Sequence, residues 1–127
     1  MKKTDFLAHV QAAGKLGSAR EAERWSKVVL TALMDSALDP ETRRRFITQL
    51  PGFLKTPLLA GTPRGLLMDR EALLQHVGAA LGTHAPEAER ALACVWSGLR
   101  KAISAGEIAD FQAHVPEDVA SYLARLA

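Results

Sequence analysis

The chain has 127 residues, 16 of them Lys or Arg and 14 Asp or Glu, with a formal net charge of +2 and 48% hydrophobic residues. A chain of this length makes one domain, or two half-domains with a shared core, and needs no disulfide or structural metal to hold that core. The balance of apolar and charged residues excludes a disordered chain, and no uncharged stretch approaches the roughly 18 residues of a membrane span.

The hydrophobic residues are dominated by 22 Ala and 18 Leu, against 7 Val and 3 Ile. Ala and Leu are strong helix formers, whereas strands favour the β-branched types. The chain has no Asn, which removes Asn-Gly hairpin turns and N-glycosylation sites. Cys94 has no second cysteine to pair with, which fits a reducing compartment. After Met1-Lys2-Lys3 the polar residues Asp5, His9 and Gln11 interrupt any signal-peptide core, so the expected location is cytoplasmic.

In chain order, Thr4 is placed to cap a first helix carrying Phe6, Leu7, Val10 and Ala13, ended by Gly14 and Gly17. Ser18 and Glu21 read as a capping box that opens a long helix to about Ala37. Asp39-Pro40 reads as a cap and first helical residue, opening a third helix to about Gln49. Pro51 starts a short helix that Pro57 breaks or kinks. Gly61-Thr62-Pro63-Arg64-Gly65 reads as a linker at the midpoint. Helices then follow from near Asp69, from Pro86 to about Ala102, over 107–114 after Gly106, and from Pro116 onward.

The two halves correspond at an offset of 65 to 67. Leu7, His9 and Val10 match Leu74, His76 and Val77; Ala22-Glu23-Arg24 matches Ala88-Glu89-Arg90; Phe46 matches Phe111, and Pro51 matches Pro116. Such self-similarity predicts an internal duplication. The expected fold is therefore all-α: two tandem four-helix repeats, 1–60 and 67–127, joined by a linker at 61–66 and packed around a pseudo-twofold axis as one helical bundle. No charge falls between Lys27 and Asp35 or between Arg90 and Arg100, so these stretches of the long helices are expected to be buried on more than one face. Ala91, Ala93, Ser97 and Gly98 are small enough to let the second and sixth helices cross closely.

The order and spacing of Asp5-Phe6-Leu7, Val10, Ala22-Glu23-Arg24, Leu50-Pro51 and their repeat through Val115-Pro116 resembles the bacterial domain of unknown function 2267 family, over essentially the whole chain. Ala72-Leu73 departs from that pattern where the second half would carry an Asp-Phe pair. The resemblance implies a small duplicated helical fold and no assigned activity, so no catalytic residue is carried over from it.

The residues themselves offer little catalytic chemistry. There is no Gly-x-Ser-x-Gly, Ser18 serves as a cap, and Cys94 sits in an uncharged helix as an inert thiol. No catalytic residue and no cofactor are expected. One metal arrangement is conceivable from spacing, because Asp5 and His9, like Asp110 and His114, stand four apart on a helix; the plain alternative is a solvated surface pair.

Two surface readings remain. Residues 1–64 carry a net charge of +5 and residues 65–127 a net charge of −3. Arg20, Arg24, Lys27, Arg43, Arg44, Arg45 and Lys55 are thus candidates for binding an anionic partner such as nucleic acid. Phe53 and Met34 correspond to the charged Asp118 and Arg100, which predicts that they are exposed; with Pro57 and a half-exposed Trp25 they form a candidate protein-binding patch. The leading expectation is a non-enzymatic interaction module that binds another protein or itself, without membrane contact. Nucleic-acid binding comes second, and a ligand or metal site between the repeats third.

Overall fold

The computed structural model describes residues 1–37, 39–60 and 68–126. These residues form eight α-helices: α1 (Lys3–Gly14), α2 (Ala19–Ser36), α3 (Pro40–Thr48), α4 (Gly52–Ala60), α5 (Arg70–Leu81), α6 (Ala85–Ala102), α7 (Ala105–Gln112) and α8 (Glu117–Arg125). The helices of the first set have 12, 18, 9 and 9 residues, and those of the second 12, 18, 8 and 9. The expected linker at 61–66 lies outside the described residues.

Local chemistry explains most helix starts. Ser18 accepts a hydrogen bond from the Glu21 amide, and Asp39 and Asp69 do the same for Thr42 and Ala72. The Thr42 hydroxyl also donates to Asp39 and, as the larger influence, holds its carboxyl below the ordinary range. Three boundaries differ from expectation. Lys2, in extended conformation, caps α1, and Thr4 lies inside its first turn. Pro57 sits within α4, which continues to Ala60. Gly106 lies in the first turn of α7, because Ser104 caps that helix through the Glu107 amide.

The core is one apolar cluster drawn from all eight helices. The long helices α2 and α6 pack on each other at its centre; α1 packs on α2 and α6, and α5 on α6 and α2. Ser97 and Gly98 of α6 meet α1. A Cβ on Gly98 would lie 3.1 Å from both Phe6 and Val10, and one on Gly14 would lie 3.1 Å from the Cys94 sulfur. Helix α1 therefore runs antiparallel to α6 at close range. Gly14 is needed for that approach; the left-handed residue that ends α1 is Lys15, at φ +54°, and the turn after α5 uses Gly82 at φ +68°.

The helices α3 and α7 pack face to face. Phe46 and Phe111 stack there at 4.5 Å, and Trp96 lies 6.1 Å from Phe111. At the solvent edge of this joint the Arg45 guanidinium meets the Asp110 carboxylate at 2.7 Å.

Candidate functional site

The expected apolar patch does not form. Met34 is 1% exposed, because α2 passes through the middle of the bundle. Trp25 is 3% exposed, with the Arg90 guanidinium lying over its ring at 5.3 Å. Phe53 is half-buried, edge-on to Phe6 at 6.1 Å, and the Lys3 ammonium lies over its outer face at 5.2 Å. Pro57 is exposed, as is Leu59 two residues on, but buried Met34 and Trp25 do not join them. A charge at the corresponding position is not a sign of exposure here. Asp118, the counterpart of Phe53, instead accepts a hydrogen bond from the Arg70 amide at 2.8 Å and so serves the start of α5. Both positions are helix-to-helix joints made with different chemistry.

The basic residues of the first half are partly tied down. Lys27 pairs with Glu23, which Lys3 also contacts at 2.9 Å; hydrogen bonds from Lys3 and then Lys27 hold the Glu23 carboxyl below its ordinary range. Arg24 reaches the Leu81 carbonyl at 3.4 Å, and Arg45 is held by Asp110. Arg43 and Lys55 are half-buried, and the Arg43 Nε has no hydrogen-bond partner among the described residues. Arg20 and Arg44 are exposed, with no ion pair among the described residues.

Both histidines of the conceivable metal pairs are engaged in structure. His9 Nε2 and Ser97 Oγ share a hydrogen bond of 2.8 Å across the α1–α6 contact, and Asp5 is exposed. His114 donates its Nδ1 proton to the Asp110 carbonyl at 2.8 Å and stands 3.9 Å from the Asp110 carboxylate. Neither pair is joined by further ligands: among the described residues no group of three or more His, Cys, Asp or Glu is placed to hold a metal ion.

Cys94 is buried, and its thiol donates to the Ala91 carbonyl at 3.3 Å. Burial pushes its pKa up from the ordinary 9.0 to about 11. Ellman's reagent at pH 8 should therefore leave Cys94 untouched in the native protein and titrate it fully in guanidinium; rapid native labelling contradicts this. The sign of the linkage follows from the raised value. The native state holds the proton more tightly, so this contribution to stability is complete below pH 9.0 and lost as the pH rises through about 11.

One concave surface was not anticipated. Between α6, α7 and α8 runs a solvent-open trough of about 350 Å³, with Trp96 and Leu123 in its floor, Ala105, Ala109 and Gln112 along one wall, and Arg100 at the rim. A smaller cavity of about 300 Å³ shares Arg100 and adds Ser97, Lys101 and Leu126. Among the described residues no carboxylate lines either one. Two other cavities, one by α8 and one between α5 and α6, are both lined by Arg70 together with acidic side chains. Only a comparison of Arg100 with Met34 hinted at the trough from sequence, and that comparison pointed to the wrong half.

These features define a class: an all-helical protein whose one thiol is buried and whose surface carries, among its cavities, a cationic-rimmed trough. Residues 3–122 match the family described as Uncharacterized conserved protein (DUF2267), and the chain belongs to that family. No curated protein matches the chain. No helix among the described residues is long and apolar enough to cross a membrane.

Proposed function

We propose that the protein is a non-enzymatic helical interaction module, built as two copies of one four-helix unit at 1–60 and 67–127, that binds another protein or itself in the cytoplasm. The observation that carries this reading is the trough between α6, α7 and α8: it combines an apolar floor with Arg100 and, among the described residues, no carboxylate. Arg20, Arg24, Lys27 and the other basic residues of the first half play a lesser part, since several are already paired.

Sedimentation velocity at several concentrations separates the two versions. A sedimentation coefficient that rises with concentration, and falls back in Ala109→Trp, supports self-association through the trough. A strict monomer that retains a specific protein from its own cell extract, with retention lost in Ala109→Trp, supports a heterologous partner. A monomer that retains nothing by this face sinks the reading.

The second reading, binding of nucleic acid, draws on the exposure of Arg20 and Arg44. It requires binding at low salt that falls steeply as salt rises and weakens in Arg44→Glu. Salt-insensitive or absent binding removes it.

A further inference from the structure

We infer that the trough between α6, α7 and α8 takes an acidic segment of a partner protein, one that inserts an unbranched apolar side chain over Trp96 and sets a carboxylate against Arg100. This rests on the reading of the protein as an interaction module and names the chemistry of its partner.

The two sets of helices supply the first argument. Arg100 stands at the same place in α6 as Met34 in α2, and Gln112 at the same place in α7 as Ile47 in α3. Met34 and Ile47 are fully buried in the core, whereas Arg100 is exposed and Gln112 half-buried. In the first half, then, the chain fills this position with an unbranched thioether chain and a branched aliphatic one. In the second half two polar residues occur instead, and the trough stays open over Trp96 and Leu123. The side chain that fits is of the size the first half uses for itself.

Charge supplies the second argument. Residues 65–127 carry a net charge of −3, yet among the described residues Arg100 and Lys101 are the only charged ones lining the trough and its smaller neighbour. Neither makes an ion pair among the described residues. An arginine beside an apolar floor selects a carboxylate attached to an apolar body, and the surrounding acidic surface disfavours a long polyanion.

Shape supplies the third. Sites for small molecules enclose about 70–90% of the ligand surface. This trough is only half-enclosed, with Ala105, Ala109 and Ala124 exposed at its margin. An occupant seated here extends beyond it across the flat alanine surface, as a protein segment does.

The test is fluorescence anisotropy with a fluorescein-labelled helical peptide of Glu and Ala carrying a single Met anchor. The same peptide with Gln for every Glu, and sodium octanoate as a competitor, serve as further probes. Saturable binding is expected, weaker by about tenfold or more in Arg100→Glu, as loss of one charge-assisted hydrogen bond implies, and similarly weaker in Ala109→Trp, which fills the trough. Arg44→Glu should bind as wild type, and circular dichroism should show every variant folded. Absent binding, equal binding of the Gln peptide, loss of binding in Arg44→Glu, or octanoate displacing the peptide at comparable concentration each overturns the inference. Sedimentation of the same variants is read separately: concentration-dependent association lost in Ala109→Trp, with no peptide bound, overturns the acidic-segment inference and leaves the interaction-module reading standing.

Discussion

Gly98→Leu should abolish the folded state, with loss of the cooperative thermal transition seen in wild type. A Cβ at this position already lies 3.1 Å from the Phe6 ring and from Val10, tighter than an ordinary van der Waals contact. Neither neighbour has room to move. Both are fully buried, and Phe6 is further held edge-on by Phe53. Overpacking a well-filled core costs about 1–3 kcal/mol even for small insertions, and a leucine adds a whole branched side chain between α1 and α6. Domains of this size have a net stability of about 5–15 kcal/mol, so separating α1 from α6 removes much of it. Gly98→Ala is the graded version. The helix gains about 0.5–1 kcal/mol from losing a glycine, and the two contacts outweigh that gain. Gly106→Ala is the control: nothing lies within 4 Å of its Cβ, so stability should rise by about 0.4–1 kcal/mol. Urea denaturation ranks the three, and a Gly98→Leu protein as stable as wild type would contradict the close α1–α6 approach.

Phe111→Ala should cost about 3–5 kcal/mol, the range for removing a fully buried aromatic ring. Phe111 lies between the Phe46 ring at 4.5 Å and the Trp96 indole at 6.1 Å, and so ties α7 to both α3 and α6. Phe46→Ala should be costly for the same reason. The double variant should cost less than the sum of the singles by about 0.5–1.5 kcal/mol, the worth of an aromatic pair beyond its buried area. Arg45→Ala, which removes only the exposed ion pair at the edge of this joint, should leave stability nearly unchanged. Strict additivity of Phe46→Ala and Phe111→Ala would mean that the ring stack does not join the two helices.

Features set by short-range chemistry were legible in the sequence. Ser18 and Asp39 cap the helices they are expected to cap, and Asp69 caps the helix expected to start near it, because an N-cap needs only an oxygen three residues before a free amide. Helix content followed from the Ala and Leu excess. Ser104 carries the same signal, but the nearby Gly106 reads as a separator and hides it. Features set by distant neighbours were not legible. Burial of Trp25 depends on Arg90 arriving from α6, and the use of Gly98 depends on α1. The candidate site suffered most. The exchange of Met34 for Arg100 was visible, but a one-dimensional comparison does not say which of two equivalent places is filled and which is open. The space that α7 and α8 leave over Trp96 of α6 decides that.

That exchange also provides the most direct test of the account. The double variant Arg100→Met with Gln112→Ile gives the second half the residues that fill this place in the first. If the trough is a binding site left open in the packing, filling it should raise the midpoint of thermal unfolding and, in the anisotropy titration, abolish binding of the acidic Met peptide. A variant that unfolds at a lower temperature than wild type and binds the peptide unchanged would contradict the claim that the trough between α6, α7 and α8 is where this protein meets its partner.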